Sequence, residues 1–130
     1  MATERTKLVK DADKWFSHYI RNRDNGECFC CGIQKPVKEM QNGHLITRGK
    51  YSVRWDEQNA FCQCPGCNIR HEHQPEIMTS KYIDRFTVEN YQELVSKSNQ
   101  IVKYTKSDLV LIAKEYKQKL AELSESGYTD

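Results

Sequence analysis

The chain has 130 residues, enough for one domain with a small core. Hydrophobic residues make up 38% and charged residues 29%, and no run approaches the roughly 18 apolar residues of a membrane span. Net charge is only +2, from 20 basic and 18 acidic residues, so bulk charge does not single out a nucleic-acid binder.

The N-terminus, Met1-Ala2-Thr3-Glu4-Arg5, is charged and lacks the apolar centre of a signal peptide, so the expectation is a cytoplasmic protein. In that compartment cysteines serve as metal ligands more often than as disulfides. Residues 5–24 read as an amphipathic helix: Leu8, Ala12, Trp15, Phe16, Tyr19 and Ile20 recur at three- and four-residue spacing. Asp24-Asn25-Gly26 is a turn signal that ends it, and His18 beside the stripe reads as structural or solvent-facing.

The stretch from Cys28 to His73 holds all six cysteines and three of the four histidines. Residues 36–47 are expected to form a short hairpin broken at Gln41-Asn42-Gly43, and Tyr51 to Trp55 another extended piece. A helix starting near Pro65-Gly66 would carry Asn68 to His73. From Ser80 the pattern turns helical through Tyr82, Ile83, Phe86, Tyr91, Leu94 and Val95, with a break near Thr87 and a connection over 96–104. Thr105-Lys106-Ser107-Asp108 resembles a capping box. It leads into a stripe at Leu109, Ile112, Ala113, Tyr116, Leu120 and Leu123, which either packs on the first helix or forms a dimer seam. The tail after Ser124 is expected to fray.

Two residues between paired cysteines let both thiolates reach one ion from a tight turn. Cys28/Cys31 and Cys64/Cys67 together complete a four-thiolate structural zinc site. Cys30 and Cys62 are left over as small buried apolar side chains, although spacing leaves slipped choices such as Cys62/Cys64 open. Arg48, Lys50 and Arg54 lie within seven residues free of acids, and Arg70 follows the second pair. Such a local basic strip can supply phosphate contacts on a nearly neutral protein.

Cys28-x-x-Cys31-Gly32, Gly43-His44, Arg54-Trp55-Asp56-Glu57-Gln58-Asn59 and Gln63-Cys64-x-x-Cys67-Asn68 occur in an order that resembles the HNH, or ββα-metal, endonucleases. The chain is more closely similar to the phage recombination endonuclease family Rap/NinG, from the Trp15-Phe16 helix through Lys114–Leu120. The Cys-x-x-Cys-Asn ending also resembles phage endonuclease VII. The resemblance implies an α+β protein with a treble-clef/HNH core on one zinc, flanked by helices at both ends. Over 1–130 it would form a single domain: an N-terminal helix at 5–25, the zinc/HNH-like core at 26–75 and a helical part at 80–125.

The implied activity is metal-dependent hydrolysis of DNA at branched recombination intermediates such as Holliday junctions and D-loops, in the host cytoplasm. By family position His44 is the general base, Asn59 braces the hairpin loop, and Asn68 binds a catalytic Mg²⁺ or Mn²⁺. Many HNH sites carry Asp or His before the base, and here that residue is Gly43. The missing ligand would come from Gln41, Asn42, His71 or His73, and helical spacing points the last two to different faces. The rival readings are a non-catalytic zinc-stapled DNA-binding or adaptor module in recombination, and a zinc-finger-like protein-interaction domain using the stripe over 109–123. A homodimer would suit paired incisions across a junction.

Overall fold

The computed structural model describes residues 2–125, which form six α-helices and one two-stranded sheet. Helix α1 (Glu4–Arg23) starts where the Thr3 hydroxyl accepts from the Thr6 N–H at 3.1 Å. It stops in a left-handed turn, with Asn25 and Gly26 at φ 53° and 68°. A Cβ on Gly26 would also lie 2.1 Å from the Lys35 carbonyl oxygen, so this position admits glycine alone.

Strand β1 (Gln41–His44) pairs antiparallel with β2 (Ala60–Gln63), placing Gly43 opposite Phe61 and His44 opposite Ala60. This corrects two expectations. The Gln41-Asn42-Gly43 segment is the strand itself rather than the break in a hairpin, and its partner lies beyond Trp55, while residues Val37–Glu39 form a 3-10 turn. Tyr51–Arg54 is a helical turn, α2, instead of an extended piece, because the Val53 N–H closes onto the Lys50 carbonyl at 3.1 Å.

Helix α3 (Pro65–His73) follows β2 directly, with Pro65 at its first position, where the missing N–H costs nothing. Helices α4 (Pro75–Phe86) and α5 (Val88–Ser98) are separated at Thr87, whose φ is 83° and whose hydroxyl caps the Asn90 N–H. Helix α6 (Lys106–Glu125) opens with a complete capping box: the Asp108 N–H donates to Thr105 Oγ1 at 3.0 Å and the Thr105 N–H to Asp108 Oδ2 at 2.8 Å. The tail expected to fray lies outside the described residues beyond Glu125.

Two apolar centres result. Val9, Ala12, Phe16 and Ile20 of α1 meet Leu109 and Tyr116 of α6, with Trp55 and Ala60 closing the end. The α6 stripe is therefore occupied within the chain and is not a free partner face. Phe29, Leu45, Val53, Phe61, Met78, Tyr82 and Leu94 form the second centre, through which α4 and α5 hold the sheet. Among the described residues no helix is long and apolar enough to cross a membrane.

Candidate functional site

The two cysteine pairs flank the sheet: Cys28 and Cys31 lie in the turn after α1, Cys64 is the N-cap of α3 and Cys67 lies in its first turn. The sulfurs of Cys28, Cys31, Cys64 and Cys67 all lie within 4.8 Å of one another. Cys31 and Cys64 are 3.8 Å apart, the separation expected for tetrahedral ligands on Zn–S bonds of about 2.3 Å. Burial raises the pKa of Cys28, but backbone N–H groups of Cys31, Cys64 and Cys30 bring it down to about 7. Burial and the adjoining sulfurs push Cys67 far up instead. Four crowded thiolates repel one another and a divalent cation at their centre removes that repulsion, so the donor set fits zinc.

Cys62 is fully buried in β2, and burial pushes its thiol up to about 12. Cys30 accepts a hydrogen bond from Gln63 Nε2 at 3.2 Å. Neither belongs to the four-sulfur cluster, which settles the choice that spacing left open.

On β1, alternation puts Asn42 and His44 on one face and Gly43 on the other. A Cβ at Gly43 would stand 1.7 Å from Gln63 Oε1, so the fully buried Gln63 side chain occupies the space a side chain there would need. The glycine before His44 is thus a packing requirement of the sheet.

His44 lines a cleft of about 910 Å³ together with Asn42, Asn68, His71 and Glu72, walled by Asp13, Lys14 and Ser17 of α1. Its Nε2 lies 2.9 Å from the Arg54 carbonyl oxygen. A carbonyl only accepts, so the neutral ring carries its proton on Nε2 and its lone pair on Nδ1. Burial lowers the His44 pKa below 6.5, against the opposing pull of the Arg54 carbonyl and Asp13. The ring is therefore neutral at pH 7, as a proton acceptor must be.

Asn68 sits one turn into α3, and its Nδ2 donates to Gln41 Oε1 at 2.7 Å, across to β1. With its nitrogen anchored, its amide oxygen is the atom left for a ligand. Asn42 Oδ1 and His71 Nδ1 are both buried without a hydrogen-bond partner, in a cleft of polar lining. His73 is exposed and outside the cleft, while Arg70 lines a separate small recess beside Cys31 and Cys67.

Asn59 is fully buried and makes three bonds to the segment joining the strands. Its Oδ1 accepts from the Ile46 N–H at 2.8 Å, and its Nδ2 donates to the carbonyls of Ile46 and Val53 at 2.9 and 3.0 Å. It does not line the His44 cleft, and its bonds tie down the loop whose Arg54 carbonyl accepts from His44.

Arg54 was expected to face phosphate, yet its guanidinium is taken up inside the protein. It donates to both oxygens of Asp13, at 3.0 and 2.6 Å, and to the Arg48 carbonyl at 3.0 Å. Arg48 and Lys50 remain exposed. Sequence reasoning missed Asp13, which also accepts from the Trp55 indole at 3.0 Å. Its only signal is a carboxylate on the polar flank of the first helix.

Fold and site define a class: an α+β chain in which a two-stranded sheet and the helix after it are joined at a four-cysteine cluster able to hold zinc. Over residues 1–126 the sequence matches the family described as Bacteriophage Lambda NinG protein, and the chain belongs to that family. It is 27% identical over 123 residues to Protein ninG of Escherichia phage 933W, covering 94% of this chain and 61% of the relative. Protein ninG of Salmonella phage P22 is 26% identical and that of Escherichia phage lambda 27%, each over 94% of this chain and 60% of the relative. The chain thus spans about three fifths of the length of the relatives it matches. No solved structure matches.

Proposed function

We propose that this chain is an HNH-type, metal-dependent DNA endonuclease that cuts branched recombination intermediates, Holliday junctions and D-loops among them. The observation that carries this reading is the arrangement around His44. A neutral imidazole with its tautomer fixed shares one cleft with donor atoms, Asn42 Oδ1 and His71 Nδ1, that are buried and unsatisfied. Buried polar atoms left without partners cost about 1–3 kcal/mol each unless something fills the site.

Asn42, Asn68 and His71 would hold a divalent ion, whose charge would stabilise the phosphate and the leaving oxygen. Amide oxygens suit Mg²⁺, and the imidazole of His71 suits Mn²⁺ as well. His44 Nδ1 takes a proton from the attacking water as its oxygen bonds to phosphorus, and the phosphorus–oxygen bond to the leaving sugar oxygen of the cut strand breaks, that oxygen taking a proton from solvent water. The imidazolium so formed keeps its Nε2–H on the Arg54 carbonyl, so the ring does not swing as it gains charge. Arg48, Lys50 and Arg70, all exposed, supply phosphate contacts, while Arg54 leaves that set because Asp13 holds it. A zinc held by Cys28, Cys31, Cys64 and Cys67 would keep the start of α3, and with it Asn68, against β1.

The test is cleavage of a synthetic four-way junction across a Mg²⁺ and Mn²⁺ series. His44→Ala should lower the rate by about 10²–10⁴-fold, the usual worth of a general base, with zinc content and the folded circular-dichroism spectrum retained. Junction binding without cleavage under any divalent ion would replace the nuclease with a zinc-stapled binding module.

A further inference from the structure

We infer that the outer face of α1 forms, with the loop carrying Arg48, a cationic trough that receives the backbone of a DNA duplex arm leaving the His44 cleft. The inference deepens the proposed nuclease reading and assigns the duplex a path along an element outside the zinc core. Its basis is that two clefts adjoin. The cleft at His44 and a second of about 540 Å³ beside it share Asp13 and Arg48 as common walls.

Helix geometry makes the wall continuous. Thr6, Val9, Lys10 and Asp13 line the smaller cleft, and Asp13, Lys14 and Ser17 line the larger one. These positions follow the three- and four-residue spacing of a single helical face. Eleven residues at 1.5 Å each run about 16 Å from Thr6 to Ser17, close to five base pairs of duplex axis.

The charge along this wall is one-sided. Arg5, Lys10, Lys14, Arg48 and Arg54 face only two carboxylates, Asp13 and Glu72. Asp13 is already neutralised by Arg54 at 2.6 Å, with Arg48 3.8 Å away. The other large cleft, about 970 Å³, has the opposite balance, with Arg23, Arg85 and Lys97 set against Asp24, Glu27, Asp56 and Glu57. Of the two sides, the one at His44, taken with its adjoining cleft, is therefore the one with a positive excess. Among the described residues lining the trough, Tyr51 is the one tyrosine, phenylalanine or tryptophan, and it is occupied by Arg54 and Trp55. That leaves no platform for stacking unpaired bases, so the fit is to duplex phosphates rather than to single strands.

The experiment measures binding of an unbranched 30-base-pair duplex, without added divalent ion, as a function of salt. The wild type is compared with a Lys10→Gln/Lys14→Gln double variant, and Lys103→Gln/Lys114→Gln serves as a control for net charge. The trough variant should flatten the slope of log K against log salt by about 1.8, for two lost phosphate contacts, and weaken binding about tenfold at 50 mM salt. The control should match the wild type, and both variants should melt as the wild type does. Equal slopes in the two double variants, from a wild type that still cleaves junctions, would overturn the trough and leave the nuclease standing. A slope that depends on the trough, in a protein that cuts nothing, would do the reverse. A wild type that neither binds duplex nor cuts would overturn both, and preference for a single strand would overturn the duplex assignment.

Discussion

Substituting Asp13 by Asn tests the link between α1 and the cleft most directly. The carboxylate accepts two hydrogen bonds from Arg54, at 3.0 and 2.6 Å, and one from the Trp55 indole at 3.0 Å. Arg54 is 11% exposed at its side chain and Asp13 21%, so water replaces little of what is lost. An Asn oxygen can keep the indole and one guanidinium bond, but its NH2 group then meets a guanidinium N–H head-on. Removing one partner of a well-buried pair costs about 3–5 kcal/mol, and the retained bonds lower the expected loss to about 2–3 kcal/mol. For a chain of this size that corresponds to a fall of roughly 8–12 °C in Tm. The effect should also reach chemistry, because Arg54 supplies the carbonyl that fixes the His44 tautomer. Thermal melts of Asp13→Asn, Arg54→Gln and the double variant close a cycle whose coupling should be about 2 kcal/mol. A coupling within about 0.5 kcal/mol of zero, or a Tm drop under about 2 °C, would refute the clamp.

Three further outcomes follow from the same geometry. Replacing Cys67 by Ser should abolish zinc binding and lose the fold around the cleft, whereas Cys62→Ser, which removes a sulfur outside the cluster, should retain zinc; elemental analysis with circular dichroism reads both. Gly43→Ala should destabilise by about 1–3 kcal/mol in urea melts, because its Cβ would meet Gln63 Oε1 at 1.7 Å, and a second change of Gln63 to Ala should recover part of that loss. Burial raises the pKa of Glu57, but Lys119 at 2.6 Å draws it below 4.5 overall, while that hydrogen bond to Glu57 lifts Lys119 above 10.5 against its own burial. The pair therefore stabilises fully between about pH 4.5 and 10.5, losing its effect as acid titrates Glu57 or base titrates Lys119. Lys119→Met should cost up to about 1 kcal/mol at pH 7, and the gap between variant and wild type should close as acid protonates Glu57 below its ordinary range.

What could be read in the sequence was what local chemistry decides. The stripes of α1 and α6 announce their periods, Thr105 and Asp108 form the capping box they spell, and the cysteine spacings place four sulfurs together. The misread segments are those where a distant group decides. Gln41-Asn42-Gly43 has the composition of a turn, and it becomes a strand because Gln63 fills the space beside the glycine and Ala60–Gln63 supplies the ladder. Tyr51 to Trp55 has strand-like residues, yet Asn59 takes the Val53 carbonyl and the segment coils into a turn. Arg54 looked like a free cation because its partner, Asp13, stands 41 residues earlier on another helix. Of Gln41, Asn42, His71 and His73, it is Asn42 and His71 whose buried atoms lack partners in one cleft, and no local pattern announces that.

The position of Cys64 has a mechanical consequence. It is the last residue before α3, and Cys67 follows within the first turn, so the sulfurs grip that helix at its root. The apolar seam between α1 and α6 contains none of these sulfurs. Withdrawing the ion should therefore unhinge one wall of the cleft while the long helices stay docked. Chelation should then open the protein in stages instead of melting it whole.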